Sequence, residues 1–151
     1  MWDSLKESNY SIDYPANWDI DKSGLMGTSF ILLSPLTSEV DDFRENVNLL
    51  VQDLSSYNMV LDDYVDISEN QVRKMITDAE IILSQRLENV NGESHLLVYK
   101  GRQGVYELNF RQYYWVINKT AFVLTLTGKQ SEVEEYIGLG QKILESFKVE
   151  S

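Results

Sequence analysis

One histidine, a trio of clustered aspartates, two closely spaced glycines and a row of aromatics beside an arginine are the residues of this chain whose types and spacing bear on chemistry. His95 lies three residues after the Asn91-Gly92 dipeptide, near the expected start of a strand. A catalytic histidine needs a nucleophile and an orienting carboxylate beside it. The sequence places neither, so His95 is expected to be a solvent-facing or hydrogen-bonded structural residue. Among Asp62, Asp63 and Asp66, positions three or four apart share a helix face and offer oxygen ligands. Their spacing matches no calcium loop, and a solvated helix start accounts for them. Gly138 and Gly140 superficially suggest a phosphate-cradling loop, but they interrupt a helical stripe with no strand motif before them. No catalytic residue, cofactor site or metal site is therefore expected.

The aromatic row is the stronger signal. Tyr106, Leu108, Phe110, Tyr114 and Val116 share one face of a long strand, which sends Glu107, Asn109, Arg111, Tyr113 and Trp115 to the other. Aromatics with arginine are the composition of protein-binding hot spots. Arg111, Tyr113 and Trp115 are expected to contribute to a partner-binding surface unless the closing helix buries them.

The elements that position these residues follow from hydrophobic periodicity. Tyr10, Ile12 and Tyr14 alternate with polar residues before Pro15, a short strand that Trp18 to Ile20 is expected to continue. Ser29 to Ser34 reads as a strand buried on both faces, and Val47, Leu49 and Val51 mark a strand with one strongly apolar face. From about Met59 to Ile76 the apolar residues recur three and four apart, as in an amphipathic helix. From Ala79 the period returns to two, with Ile81, Leu83 and Leu87 on one face. Turns at Asn91-Gly92, at Gly101 to Gly104 and at Asn118-Lys119 then divide a four-stranded meander. Phe122, Leu124 and Leu126 lie opposite Ala121, Val123, Thr125 and Thr127, a strand whose two faces are both suited to being covered. Ser131 and Glu134 form an S-x-x-E capping box ahead of a helix running to about Phe147, where the small Gly140 would allow close approach to the sheet.

With 151 residues, 43% of them hydrophobic, and no linker or repeat, the chain is expected to form a single domain over 1–151. Lys and Arg total 13 against 24 Asp and Glu, and a net charge of -11 opposes the phosphate neutralisation on which nucleic-acid binding depends. No apolar run approaches the roughly 20 residues of a spanning helix, so no membrane insertion is expected. The absence of cysteine removes disulfides and thiolate chemistry.

The stretch DFRENVNLLVQDL (Asp42 to Leu54), the helix LDDYVDISENQVRKMI, the hairpin YKGRQGVYELNFRQYYWV, the closing QKILESFKV and the opening YSIDYPANWDI resemble the PsbP-like family over nearly the whole chain. That resemblance implies an α+β fold, an α-β-α sandwich with an antiparallel sheet of about six to seven strands and helices packed on it, shared with the Ran-binding Mog proteins. Members include subunits that stabilise a photosynthetic oxygen-evolving complex, a nuclear transport factor, bacterial envelope lipoproteins and secretion chaperones, and their common thread is binding to another protein. The acidic composition departs from the basic surface of the photosynthetic subunits. The expected function is a non-catalytic protein-binding module, an adaptor or accessory subunit, not an enzyme and without cofactors, monomeric or weakly dimeric. Its alternatives are a chaperone shielding an apolar segment of a secreted client, and a small-ligand carrier with a pocket lined by Trp115 and Tyr136. A cytoplasmic location is expected, with the cell envelope, after removal of a lipoprotein signal, as the alternative.

Overall fold

The computed structural model describes residues 1–36, 43–89 and 91–150, so Asp42 of the first quoted stretch lies outside the described residues. In chain order the strands and helices are β1 (Trp2–Lys6), β2 (Tyr10–Pro15), β3 (Asp19–Asp21), β4 (Phe30–Leu33), β5 (Asn46–Asp53), α1 (Leu61–Met75), β6 (Thr77–Asn89), β7 (Gly92–Gln103), β8 (Tyr106–Ile117), β9 (Thr120–Lys129), α2 (Val133–Glu145) and β10 (Lys148–Val149). Strands β3-β4-β5-β9-β8-β7-β6 form a seven-stranded antiparallel sheet, and β1-β2-β10 form a smaller one. The two helices cover opposite faces of the large sheet. Leu61, Val65 and Val72 of α1 pack with Leu97, Tyr99, Phe110 and Tyr114, while Ile143 and Leu144 of α2 pack with Leu96, Val98, Tyr113 and Trp115. The fold is the expected α+β sandwich.

Central strand β9 shows why the sheet must be covered twice. From Ala121 to Gly128 every residue is buried, with Leu124 and Leu126 facing α2 and Val123 facing the α1 side. Such a strand contributes apolar surface to both layers, about 25 cal/mol for each Å² removed from water. The Asn118-Lys119 turn into it places both residues in the left-handed region, at φ 52° and 62°, the geometry of a two-residue hairpin turn that matches strand twist.

Several local expectations change in the folded chain. Residues after Pro15 do not continue β2. The chain turns through Trp18 N–H donating to Pro15 O (2.9 Å), and β3 joins the other sheet beside β4. Strand β4 buries Phe30 and Leu32 fully, but Ile31 and Leu33 only partly. In β6 the ladder shifts between Ile81 and Leu83, so Ile81 pairs with Tyr99 on the α1 face while Leu83 and Leu87 turn to the α2 face. A β-bulge inserts one residue and reverses the alternation, which separates residues that a strict period of two puts together. The turn between β7 and β8 is Gly104-Val105, and Gly101 belongs to β7, where a Cβ would lie 2.2 Å from Ile76 Cγ2. The capping box at Ser131 does not form. Residues Gln130–Glu132 make a 3-10 turn, and α2 begins at Val133 without a side-chain cap. In α1, Met75 points outward and is 77% exposed.

Gly138 and Gly140 lie two residues apart in α2 and face opposite demands. A Cβ on Gly140 would sit 2.6 Å from Leu126 Cδ2, whereas one on Gly138 would meet nothing within 4 Å. Alanine stabilises an exposed helix position by roughly 0.8–1 kcal/mol over glycine, and overpacking a core costs about 1–3 kcal/mol. Denaturant unfolding should therefore show Gly138→Ala stabilised and Gly140→Ala destabilised, although both changes favour an isolated helix equally.

Candidate functional site

Alternation along β8 carries Arg111, Tyr113 and Trp115 to the same face, and α2 lies over that face. The three are brought together. Tyr113 stacks on Trp115 with ring centroids 5.8 Å apart and planes 17° from parallel, and Trp115 packs on Phe147 at 5.2 Å. Arg111 Nε donates to Gln141 Oε1 (2.9 Å), and Gln141 Nε2 donates to the Tyr113 hydroxyl (2.9 Å). Burial takes the aromatics off the open surface: Tyr113 is 9% exposed and Trp115 2%. They form instead the floor of a cleft of about 300 Å³, walled by Leu87, Leu144 and Phe147, with Glu88 and Glu145 exposed at its rim. Asn91 pins the cleft's end. Its Nδ2 donates to Phe147 O (2.9 Å), and its Oδ1 accepts from Val149 N–H (2.9 Å).

Gln141 is the member that the sequence reading missed. It sits four residues after Ile137 and three before Leu144, on the apolar stripe of α2, and a polar residue on such a stripe is a signal for a buried hydrogen-bond bridge. Trp115 and Tyr136 do not share one pocket. Tyr136 lies on the opposite flank of α2, in a cavity with Trp18 and Ser34.

On the α1 face, His95 has partners that the sequence alone does not place. Its Nε2 lies 2.7 Å from Ser84 Oγ, and that hydroxyl donates to Glu69 Oε2 at 2.8 Å. Serine, histidine and a carboxylate meet, yet in the wrong order for a triad. With the serine proton held by Glu69, Nε2 carries the hydrogen that Ser84 accepts, and the basic lone pair is on Nδ1, buried without a partner among the described residues. Arg86 adjoins the group and pairs with both Asp62 and Glu93. The aspartate trio is divided among separate roles: Asp62 holds Arg86, Asp63 Oδ2 accepts from Val60 N–H (3.1 Å) at the start of α1, and Asp66 adds its negative field at His95. Among the described residues no group of acidic or imidazole side chains is arranged to hold a metal ion. Gly138 and Gly140 lie inside α2, where their backbone is helical and offers no phosphate cradle.

The backbone has counterparts among solved structures over almost the full chain. Cyanobacterial PsbP (CyanoP) from Synechocystis sp. PCC 6803 matches with a TM-score of 0.73 at 15% identity, covering 99% of this chain and 92% of that one. The fold is PsbP-like. LpqN, involved in cell envelope biogenesis of Mycobacterium tuberculosis, matches with a TM-score of 0.74 at 9% identity, again over 99% and 92% of the two chains. PA94 from Pseudomonas aeruginosa, a protein of unknown function, matches with a TM-score of 0.68 at 14% identity over 96% of this chain and 94% of that one. No protein-family model matches the chain, and no curated protein does either. At these identities the likeness concerns the PsbP-like backbone. No helix among the described residues is long and apolar enough to cross a membrane.

Burial lowers the pKa of His95, and Arg86 lowers it further, against the opposing fields of Glu69, Asp62 and Asp66. The unfolded chain then binds a proton near the ordinary imidazole value of about 6.5 that the folded chain takes up only at lower pH, so stability rises with pH across this range. The contribution is full above the unfolded value and is lost as pH falls below it. Unfolding free energies measured from pH 8 to pH 5 should fall more steeply for the wild type than for His95→Gln; equal slopes would mean that the imidazole charges as readily folded as unfolded.

Proposed function

We propose that this protein is a non-catalytic protein-binding module, an adaptor or accessory subunit, whose contact is made at the α2 flank over Tyr113 and Trp115. The observation that carries the reading is the cleft itself: a stacked aromatic floor, apolar walls and a carboxylate rim, with Gln141, the partner of Arg111, in its lining. Aromatic side chains in a partly desolvated pocket are characteristic of binding hot spots, and rim charges steer the approach of an oppositely charged partner. A basic surface that inserts one apolar side chain fits this cleft and the net charge of -11. The PsbP-like fold supports the same reading, because members of the family that the sequence resembles share binding to another protein. The hydrogen-bond order at His95 supports a structural role for that group, since Ser84 is not activated by it. For the setting, the likeness to LpqN, involved in cell envelope biogenesis, supports the envelope as the alternative to the cytoplasm.

The test must spare the core. Trp115→Ala would empty a side chain that is 2% exposed, and such truncations cost about 3–5 kcal/mol. Glu88→Lys with Glu145→Lys changes only exposed rim groups, and Tyr113→Phe removes only the hydroxyl that Gln141 bridges. Cross-linked affinity capture from native extract, at low and moderate salt, should yield a stoichiometric partner with the wild-type chain. The double rim variant should lose it at unchanged thermal midpoint. Equal capture by both proteins would remove the cleft as the contact, and several clients sharing an apolar segment would favour the chaperone reading.

A further inference from the structure

Helix α1 packs mainly over β6, β7 and β8, so its own face of the large sheet is covered unevenly. Along its flank toward β5 and β9 runs a cavity of about 260 Å³, floored by Leu50, Gln112 and Val123 and walled by Tyr64, Val72 and Met75 of the helix. Among the described residues that line it none carries a charge, in a chain of which 25% is Asp, Glu, Lys and Arg. An ion entering this space would give up its hydration and meet no counter-charge, so the lining selects against charged ligands.

Most polar atoms of the wall are spent on one another. The Tyr64 hydroxyl donates to Gln52 Oε1 (3.0 Å), the Tyr114 hydroxyl donates to Gln112 Oε1, and Gln112 Nε2 donates to Thr125 Oγ1 (3.1 Å). Tyr99 is the exception. It is 4% exposed, its ring stacks on Phe110 with centroids 4.6 Å apart, and its hydroxyl has no hydrogen-bond partner among the described residues. Unlike the Tyr136 hydroxyl it keeps accessible surface, and Tyr99 lines this cavity. Burial raises the pKa of the Tyr99 phenol, which therefore stays neutral and able both to donate and to accept. Beside it Tyr64 and Tyr114 meet edge to face, with centroids 6.0 Å apart and planes at 61°, and the largely exposed Met75 leaves a flexible thioether at the mouth.

We propose that this cavity binds a small neutral aromatic molecule with one hydrogen-bonding group, of the phenol or indole type, whose polar group pairs with the Tyr99 hydroxyl. Neutrality follows from the uncharged lining, and the single polar contact from the buried hydroxyl that the fold leaves open. An aromatic ring is preferred to an aliphatic one because Tyr64 and Tyr114 offer ring edges and faces and Met75 offers a sulfur contact. Size sets the upper limit. An apolar cavity of about 150 Å³ holds benzene and drug-sized ligands need about 300 Å³ or more, so this one suits a substituted ring or two fused rings. The site lies on the α1 face and does not depend on the protein-binding reading of the α2 flank.

The experiment titrates the isotope-labelled full chain with para-cresol, with toluene and with para-hydroxybenzoate, followed by amide chemical shifts. Saturable shifts around Val72, Tyr99 and Val123 are expected with para-cresol, weaker binding with toluene, and none with para-hydroxybenzoate. Tyr99→Phe should weaken para-cresol by about three- to tenfold, the worth of one neutral hydrogen bond, and leave toluene unchanged. The thermal midpoint of the variant should stay level, since the hydroxyl it removes bonds to nothing in the free protein. No saturation with para-cresol, equal binding of para-hydroxybenzoate, or equal para-cresol affinity in the wild type and Tyr99→Phe would overturn the proposal. Toluene and para-cresol weakening together in the variant would overturn the role of the hydroxyl, and shifts confined to the surroundings of Trp115 would overturn the choice of cavity.

Discussion

Burial of β9 on both faces is the constraint on which the rest of the molecule depends. A strand whose every residue from Ala121 to Gly128 is hidden cannot sit at an edge or under one layer. It must be paired on both sides, by β5 and β8, and covered from above and below. Helix α2 achieves close cover through two glycines, one on each partner: Gly140 receives Leu126, and Gly128 receives the Tyr136 ring. Because the helix is pressed down on the sheet centre, the sheet to either side is left only partly covered. The aromatic cleft toward β6 and the hydroxyl-lined cavity toward β3 are the two spaces that result.

Charge is distributed in keeping with this arrangement. Arginines and lysines that pair do so mostly at the periphery, as in Arg44 with Asp19, Arg86 with Asp62 and Glu93, Lys100 with Glu80, and Arg102 with Glu107. Exposed pairs of this type contribute about 0–1 kcal/mol each, so their main effect is to fix positions and consume cations. Acidic groups beside α2 line the two spaces, and among the described residues no lysine or arginine lines either, within a chain whose net charge is -11.

Much of the fold was legible because its signals are local. The parity of β8 separates Leu108, Phe110 and Tyr114 from Arg111, Tyr113 and Trp115 in the structure as in the sequence, and the α1 and α2 stripes face the sheet as their three- and four-residue spacing requires. Where the reading failed, a non-local contact had overruled a local rule. The shift in β6 answers to its pairing with β7, the strand after Trp18 answers to β4, and Ser131 yields its cap because the chain leaves β9 through a 3-10 turn. Neither β1 nor β10 was foreseen. Each is short and pairs only with β2, and β10 does so across most of the chain's length.

Sequence by itself determined the α+β class, the strand faces, the two amphipathic helices, the acidic charge and the row of Arg111, Tyr113 and Trp115, because periodicity and composition need no knowledge of distant residues. Tertiary structure alone decided that Gln141 bridges Arg111 to Tyr113, that Ser84 stands between Glu69 and His95, and that Ser34 and Tyr136 leave their hydroxyls unpaired in one cavity. Each of those facts joins residues 11 to 102 positions apart. Nothing in local propensity sets such distances; the registers of the sheet and the close seat of α2 on β9 do.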